Sequence, residues 1–239
     1  MFKKILRKMP REFNEFIEFH STRIFKNSEY GLDGLDLKLS KYVSKKGGYF
    51  VELGANNGFK QSNTLYFENN LGWSGLLIEA SPVNFLKCVY YRGKKNSVLC
   101  CACVPDDYNQ SEVWLEHAGL MTSAESLETD TGNFLDFVSS GRELSRFGKP
   151  IELKYAVEAK TLTSCLEAVG APKNIDLLSL DVEGAEMAVL RGIDFGKYIF
   201  NFILIECRDF EKISKFMSDK GYIFVDKLSH HDYLFSYVK

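Results

Sequence analysis

The tightest constraint on this chain is the segment Tyr49–Gly58, YFVELGANNG, taken together with LLIEA at Leu76–Ala80. An apolar run ends at Glu52 and breaks into a turn of small residues, Gly54-Ala55-Asn56-Asn57-Gly58. A second apolar run then ends in another acid, Glu79. In an α/β chain, this pair builds a nucleotide-binding crevice. The first turn lets a ligand approach the backbone, and the second acid offers a carboxylate to two ribose hydroxyls. A dehydrogenase fingerprint would require glycine at positions 56 and 59. Asn56 and Phe59 stand there instead, which argues against a tight pyrophosphate turn.

The rest of the chain alternates strand and helix patterns. SNTLYFENN (62–70) reads as a helix, GLLIEA (75–80) as a strand, and Pro82 opens a helix to about Tyr91. SVLCCACV (97–104) reads as a third strand, and residues 105–150 as an irregular insertion in which SEVWLEH (111–117) forms a short strand. EAKTLTSCLEAVG (158–170) reads as a helix started by Thr161 or Thr163. IDLLSLDVEG (175–184) and FILIEC (202–207) read as strands, each followed by a helix. YIFVDKLS and HDYLFSYV follow with no room for a helix between them, so they must pair antiparallel. A mostly parallel sheet with a late antiparallel hairpin is the layout of class I S-adenosylmethionine methyltransferases.

Composition fits one globular domain. The chain has 239 residues, is 45% hydrophobic, and carries a net charge of −2, which gives no global attraction to nucleic acid. The six cysteines form no C-x-x-C pair and read as reduced core residues of a cytoplasmic protein. No secretory signal pattern and no apolar stretch near the roughly 20 residues of a membrane span is present. Residues 1–34 read as an amphipathic helical extension, with Lys3, Lys4, Arg7, Lys8 and Arg11 ahead of Phe13, Phe16, Ile17 and Ile24. Two readings stand for it. It packs on the domain or on a second subunit of a homodimer, or it is a basic, aromatic anchor that lies on a membrane surface.

Three segments, FVELGANNGFKQSNTLYFE, GWSGLLIEASP and LLSLDVEGAEMAVLRG, resemble the FkbM-type methyltransferases, and the resemblance runs over about 35–239. It implies a Rossmann-like fold with a mostly parallel seven-stranded sheet, a C-terminal antiparallel hairpin and helices on both faces. It also implies methyl transfer from S-adenosylmethionine to a small-molecule or glycan acceptor, commonly at a hydroxyl oxygen. Methylation of a nitrogen or a phosphate-type oxygen on a surface-polysaccharide precursor is the second enzyme reading, and a non-catalytic interaction domain the third. An Asn/Asp-Pro-Pro-Tyr/Phe motif, frequent in base-modifying methyltransferases, is absent where DVEG stands.

Roles follow within that frame. Gly54 and Gly58 admit the amino-acid end of the cofactor, Glu52 meets its ammonium directly or through water, and Asn56 adds amide contacts. Ser62, Asn63 and Thr64 line the next helix start, where Ser62 and Thr64 could equally cap it. Glu79 holds the ribose, Ala80 and Ser81 border the adenine, and Cys101 and Ala102 form its other wall. Asp181, at the end of the DVEG strand, contacts the cofactor and orients or deprotonates the acceptor, and Glu183 supports it. Asp181, Glu183 and Glu206 could also hold Mg²⁺. Glu183 and Glu186 could instead cap the following helix. His117, and less so His230 and His231, are alternative bases, while Arg142, Arg146 and Lys149 would meet an anionic acceptor.

Overall fold

The computed structural model describes residues 17, 19–20, 30–118, 122, 124, 127, 129–130, 134–144 and 153–238. Most of the N-terminal extension, and Arg146 and Lys149, lie outside the described residues. A short 3₁₀ turn (Leu32–Gly34) leads into α1 (Leu35–Ser40), β1 (Tyr49–Leu53), α2 (Leu65–Leu71), β2 (Ser74–Ile78), α3 (Pro82–Arg92), β3 (Ser97–Leu99) and β4 (Ala102–Cys103). β5 (Glu112–Glu116), α4 (Phe134–Leu144), β6 (Lys154–Lys160) and α5 (Leu162–Ala168) follow. The chain closes with β7 (Asn174–Leu180), α6 (Glu186–Arg191), β8 (Ile199–Glu206), α7 (Phe210–Asp219), β9 (Tyr222–Lys227) and β10 (Asp232–Tyr237).

Seven strands form the main sheet in the order β3-β2-β1-β7-β8-β10-β9. The first five are parallel, and β10 runs antiparallel to both β8 and β9. The order reverses between β1 and β7, and this is the switch point at which open α/β sheets bind ligands. β1 and β7 are apolar almost throughout because helices cover both faces. Val51 and Leu53 pack into one large core with Leu178, Leu180 and Ile203, while Phe50 enters a second with Phe67, Trp73 and Leu177 on the other face.

The sequence pattern misplaces two features. SVLCCACV is not one strand: β3 ends at Leu99, and β4 leaves the main sheet for a small one of order β4-β6-β5. β6 itself is missed, because KYAVEAK alternates apolar with charged residues on a sheet packed on one face only. The strand expected at 111–117 is present as β5, and Thr161 caps α5 by accepting from the Ser164 amide at 3.1 Å.

One buried cation ties the first half together. Arg92, at the end of α3, is 1% exposed. Its Nε donates to Glu68 of α2 at 2.8 Å. Its Nη1 donates to Glu52 of β1 at 3.2 Å and to the Gly58 carbonyl at 3.2 Å. Nη2 donates to Thr64 Oγ1 at 3.1 Å, and the guanidinium lies over the Phe50 ring. Asn96 extends the network, donating to Glu68 and accepting from the Gly75 amide. Because Arg92 is the shared partner of two buried carboxylates, Arg92→Ala should cost about 3–5 kcal/mol. Urea unfolding measures this, and a loss below about 1 kcal/mol would contradict the role given to the network.

Candidate functional site

Strand register assembles the site. Leu53 pairs with both Ile78 and Leu180, and Leu180 pairs with Ile205. The residues that follow these positions, Gly54, Glu79, Asp181 and Glu206, therefore stand along one sheet edge. Gly54 has φ of +74°, and a Cβ there would meet the Asp181 carbonyl oxygen at 1.8 Å. Gly58, at φ +85°, faces Cys88 and Arg92 of α3. Both glycines thus let the turn pack against its own protein neighbours, whatever room they also leave for a ligand. Asn56 holds a left-handed conformation with φ of 49°.

Glu79 bridges the two turns. One oxygen accepts from the Asn56 amide at 2.7 Å and the other from the Ser81 amide at 2.7 Å. Burial pushes its pKa up to about 7, against the pull of those two amides. Each oxygen keeps a second lone pair for a ligand hydroxyl. Ala80 and Ala102 share a small apolar cluster with Leu127 and Tyr155 beside it. Burial pushes the Tyr155 hydroxyl up to about 12, with the Glu79 charge adding to the shift and the Ser81 and Thr122 side chains pulling against it.

Two expectations change in kind. Glu52 cannot meet an ammonium, because Ser62 Oγ, the Asn63 amide, Thr64 Oγ1 and Arg92 fill the roughly four acceptor positions of its carboxylate. Ser62 also accepts from the Leu65 amide at 3.1 Å, so it caps α2 as well as serving Glu52. Asn63 donates to Ser179 Oγ, and its own Oδ1 is buried without a partner. Cys101 turns its sulfur into the main core, 3.6 Å from Cys165 Sγ. The sulfur on the crevice side is that of Cys100, next to the Ala80 carbonyl, with the Glu79 charge raising its pKa.

Asp181 and Glu206 share a side-chain hydrogen bond, and desolvation together with the charges of Glu206 and Glu183 holds Asp181 well above the usual carboxylate range. Glu183 sits in a left-handed turn (φ 56°), so the strand alternation expected to align it with Asp181 has ended. It still reaches the cluster, and burial plus the Glu206 charge pushes it up to about 7. Neither acid caps the helix: Glu186 Oε1 accepts from the Val182 and Gly184 amides of the preceding turn, and the start of α6 has no side-chain cap. The Mg²⁺ expectation lacks its ligand set. Among the described residues the trio that brings metal-ligating atoms within 4.8 Å is Cys101, Cys103 and Cys165, not the carboxylates.

The insertion reaches the site through Asp130, which the sequence pattern does not single out. Its amide donates to the Gly184 carbonyl, and its carboxylate accepts from the Arg208 amide at 2.7 Å and from Arg208 Nη1 at 3.2 Å. The Arg208 guanidinium also lies 5.4 Å from the centre of the Phe137 ring of α4. His117 closes β5, its amide bonded to the Leu153 carbonyl. His231 lies near Glu206 and Arg208, with Nε2 3.0 Å from His230 Nδ1. A surface cavity of about 610 Å³ lined by Thr161, Asp194 and Lys220 lies at the opposite sheet edge and includes none of these residues.

The sequence profile described as methyltransferase FkbM domain matches residues 52–224. No match was found among curated proteins. Solved structures of similar shape include a methyltransferase from Geobacter sulfurreducens, 10% identical with a TM-score of 0.45, covering 98% of this chain and 93% of that one. A TehB-like SAM-dependent methyltransferase from Corynebacterium glutamicum is 8% identical with a TM-score of 0.44, covering 94% and 97%. Fibrillarin from Aeropyrum pernix, solved with natively bound S-adenosyl-L-methionine, is 12% identical with a TM-score of 0.43, covering 81% and 67%.

The raised carboxyls give stability a definite pH dependence. The native state keeps protons on Glu79, Glu183 and Glu186 that the unfolded chain loses near 4.5. Their contribution is full below that value and is lost as pH rises through about 7 for Glu79 and Glu183 and about 8 for Glu186. Urea midpoints should therefore fall across this window. Glu186→Gln, which keeps an acceptor oxygen but cannot titrate, should flatten the fall by up to about 1.4 kcal/mol per pH unit. Midpoints that rise over the same range would contradict the assignment.

Proposed function

Since this chain belongs to the FkbM methyltransferase family and is S-adenosylmethionine-dependent, we propose that it methylates a hydroxyl oxygen of a sugar, a glycan precursor or another small natural product. The observation that carries this reading is the Asp181–Glu206 pair, which strand register brings to the same sheet edge as Glu79.

The crevice residues fit the cofactor. Glu79 offers lone pairs to two neighbouring hydroxyls, and Ala80, Ala102 and Leu127 give an apolar wall of the kind an adenine ring needs. The Tyr155 hydroxyl, close to Ser81 and to the Glu79 charge, adds a polar atom to that wall. When bound, S-adenosylmethionine supplies an electrophilic methyl group on a sulfonium, so the protein's main task is to place the acceptor oxygen in line with it. The acceptor hydroxyl must lose its proton as its oxygen bonds to carbon. A carboxyl pair that holds one proton and one negative charge can take that proton and become neutral. Glu183, raised to about 7, is only partly ionised at neutral pH and so adds less than a full charge beside the pair. Asp130 and Arg208 fix the loop beyond it and hold the acceptor side in shape.

Isothermal titration with S-adenosylhomocysteine tests the cofactor half of this reading. Micromolar binding is expected, and Glu79→Ala should weaken it by at least about tenfold through lost charged hydrogen bonds. Wild-type binding should also weaken as pH falls below about 7, where Glu79 gains its proton. Asp181→Asn should leave the cofactor affinity within a few-fold while it lowers methyl transfer to a panel of hydroxylated sugars by about 10²–10⁴-fold. Full activity in Asp181→Asn would remove the pair from the proton's path.

A further inference from the structure

We propose that Cys101, Cys103 and Cys165 together bind one soft, thiophilic metal ion, copper(I), in a three-thiolate site. Two elements bring them together. Cys101 and Cys103 stand two positions apart at β4, so both join the main core while Ala102 between them joins the crevice wall. Cys165 lies on the buried face of α5 with Leu162 and Leu166. All three sulfurs lie within 4.8 Å of one another, and those of Cys101 and Cys165 are 3.6 Å apart. At a metal–sulfur length of about 2.3 Å, three sulfurs around one ion stand about 4 Å apart. The cluster therefore closes on an ion through shifts of under about 1 Å. A single buried thiol behaves as a small hydrophobe. Three that converge on one point form a donor set.

The donors select the ion. Thiolates prefer soft ions, copper(I) and zinc among them. Structural zinc takes four ligands in a tetrahedron. Among the described residues no fourth Cys, His, Asp or Glu joins the trio. The three side chains are buried in the main core, so solvent does not complete a tetrahedron either. Three thiolates without a fourth ligand suit copper(I). Charge supports ligation as well. Hydrogen bonds with Cys101 and Cys103 hold the Cys165 thiol below its usual range against the effect of burial, and the Lys160 charge adds to this. Lys160 stands opposite Cys103 in the β4–β6 pairing, so it brings positive charge to a site that thiolates make negative. Each sulfur that binds gives up its proton to solvent, and loading releases about two to three protons. A bound ion ties β4 to α5, and with β4 the Ala102 wall of the crevice.

Anaerobic titration of the full, reduced chain with copper(I), against a chromophoric chelator, tests this without cofactor or acceptor, so its failure leaves the methyltransferase reading untouched. One equivalent should bind, with a thiolate-to-copper charge-transfer band and a rise in melting temperature. X-ray absorption of the loaded protein should show three sulfurs at about 2.3 Å. Cys165→Ala and Cys103→Ser should each weaken binding by at least about a hundredfold, the most that loss of an outer-shell partner costs. Cys100→Ser, outside the trio, should leave it unchanged. Melting of the metal-free variants shows that they are folded. If either fails to fold, the stoichiometry and the sulfur shell of the wild type decide the question. No binding, binding that survives both variants, a shell of two sulfurs, or zinc held more tightly than copper(I) overturns the proposal.

Discussion

The structure depends first on where it places one buried positive charge. Burying a guanidinium beside two carboxylates is costly unless every donor and acceptor is met. Arg92 meets that condition with groups drawn from β1, the glycine turn, the entry to α2 and α2 itself. The ligand-facing turn is thereby held from beneath by a network reaching across the second core face. Its shape is set before any ligand arrives. This preorganisation also explains why Glu52 is unavailable to a ligand: its acceptor capacity is consumed in fixing the residues around it. Removing Arg92 would disturb the turn and the packing of α3 on the sheet together.

On that base, strand register does the rest. Parallel strands that end in step bring their next residues to one edge, and here those residues include Glu79, Asp181 and Glu206. Acids so placed lose solvent, which is why Asp181, Glu183 and Glu79 all hold protons more tightly than free carboxyls do, and the Glu206 charge adds to this for Asp181 and Glu183. The fold tolerates the cluster because hydrogen bonding relieves it: the Asp181–Glu206 bond, the amides on Glu79, and the loop amides on Glu186. A strained Glu183 in the turn between β7 and α6 is the sort of local cost that functional sites retain.

Much of this was legible in the sequence, and the exceptions have physical causes. Long apolar runs bounded by Gly or acidic residues located β1, β2, β7 and β8, and two strand patterns with no helix between them fixed the antiparallel end. β6 escaped because a strand packed on one face keeps Lys and Glu in its sequence and resembles the lead-in to a helix. Cys101 was expected in the crevice wall because SVLCCACV reads as a single strand, whereas β3 ends at Leu99 and Cys101 packs in the main core. Arg92 and Asp130 could not be found at all from local pattern. Their side-chain partners lie 24 to 40 residues away for Arg92 and 78 or 79 for the Asp130 carboxylate, and only tertiary structure brings them together. Glu52 was legible as a site residue but not in its role, since spacing shows where a carboxylate is and not what fills it.

The electrostatics of the edge bear on the acceptor. The cluster contributes the negative charges of Glu206 and partly ionised Glu183 near the point where an acceptor oxygen must sit. The cation beside them, Arg208, gives one guanidinium hydrogen bond to Asp130, whose other oxygen accepts from the Arg208 backbone amide. An acceptor whose reacting group is a phosphate-type oxygen would bring further negative charge into this field with its nearest cation committed elsewhere. A neutral hydroxyl brings none. It can also donate its proton to the carboxyl pair, in a site where charge is poorly screened. This balance of charge is what the proposed hydroxyl acceptor rests on.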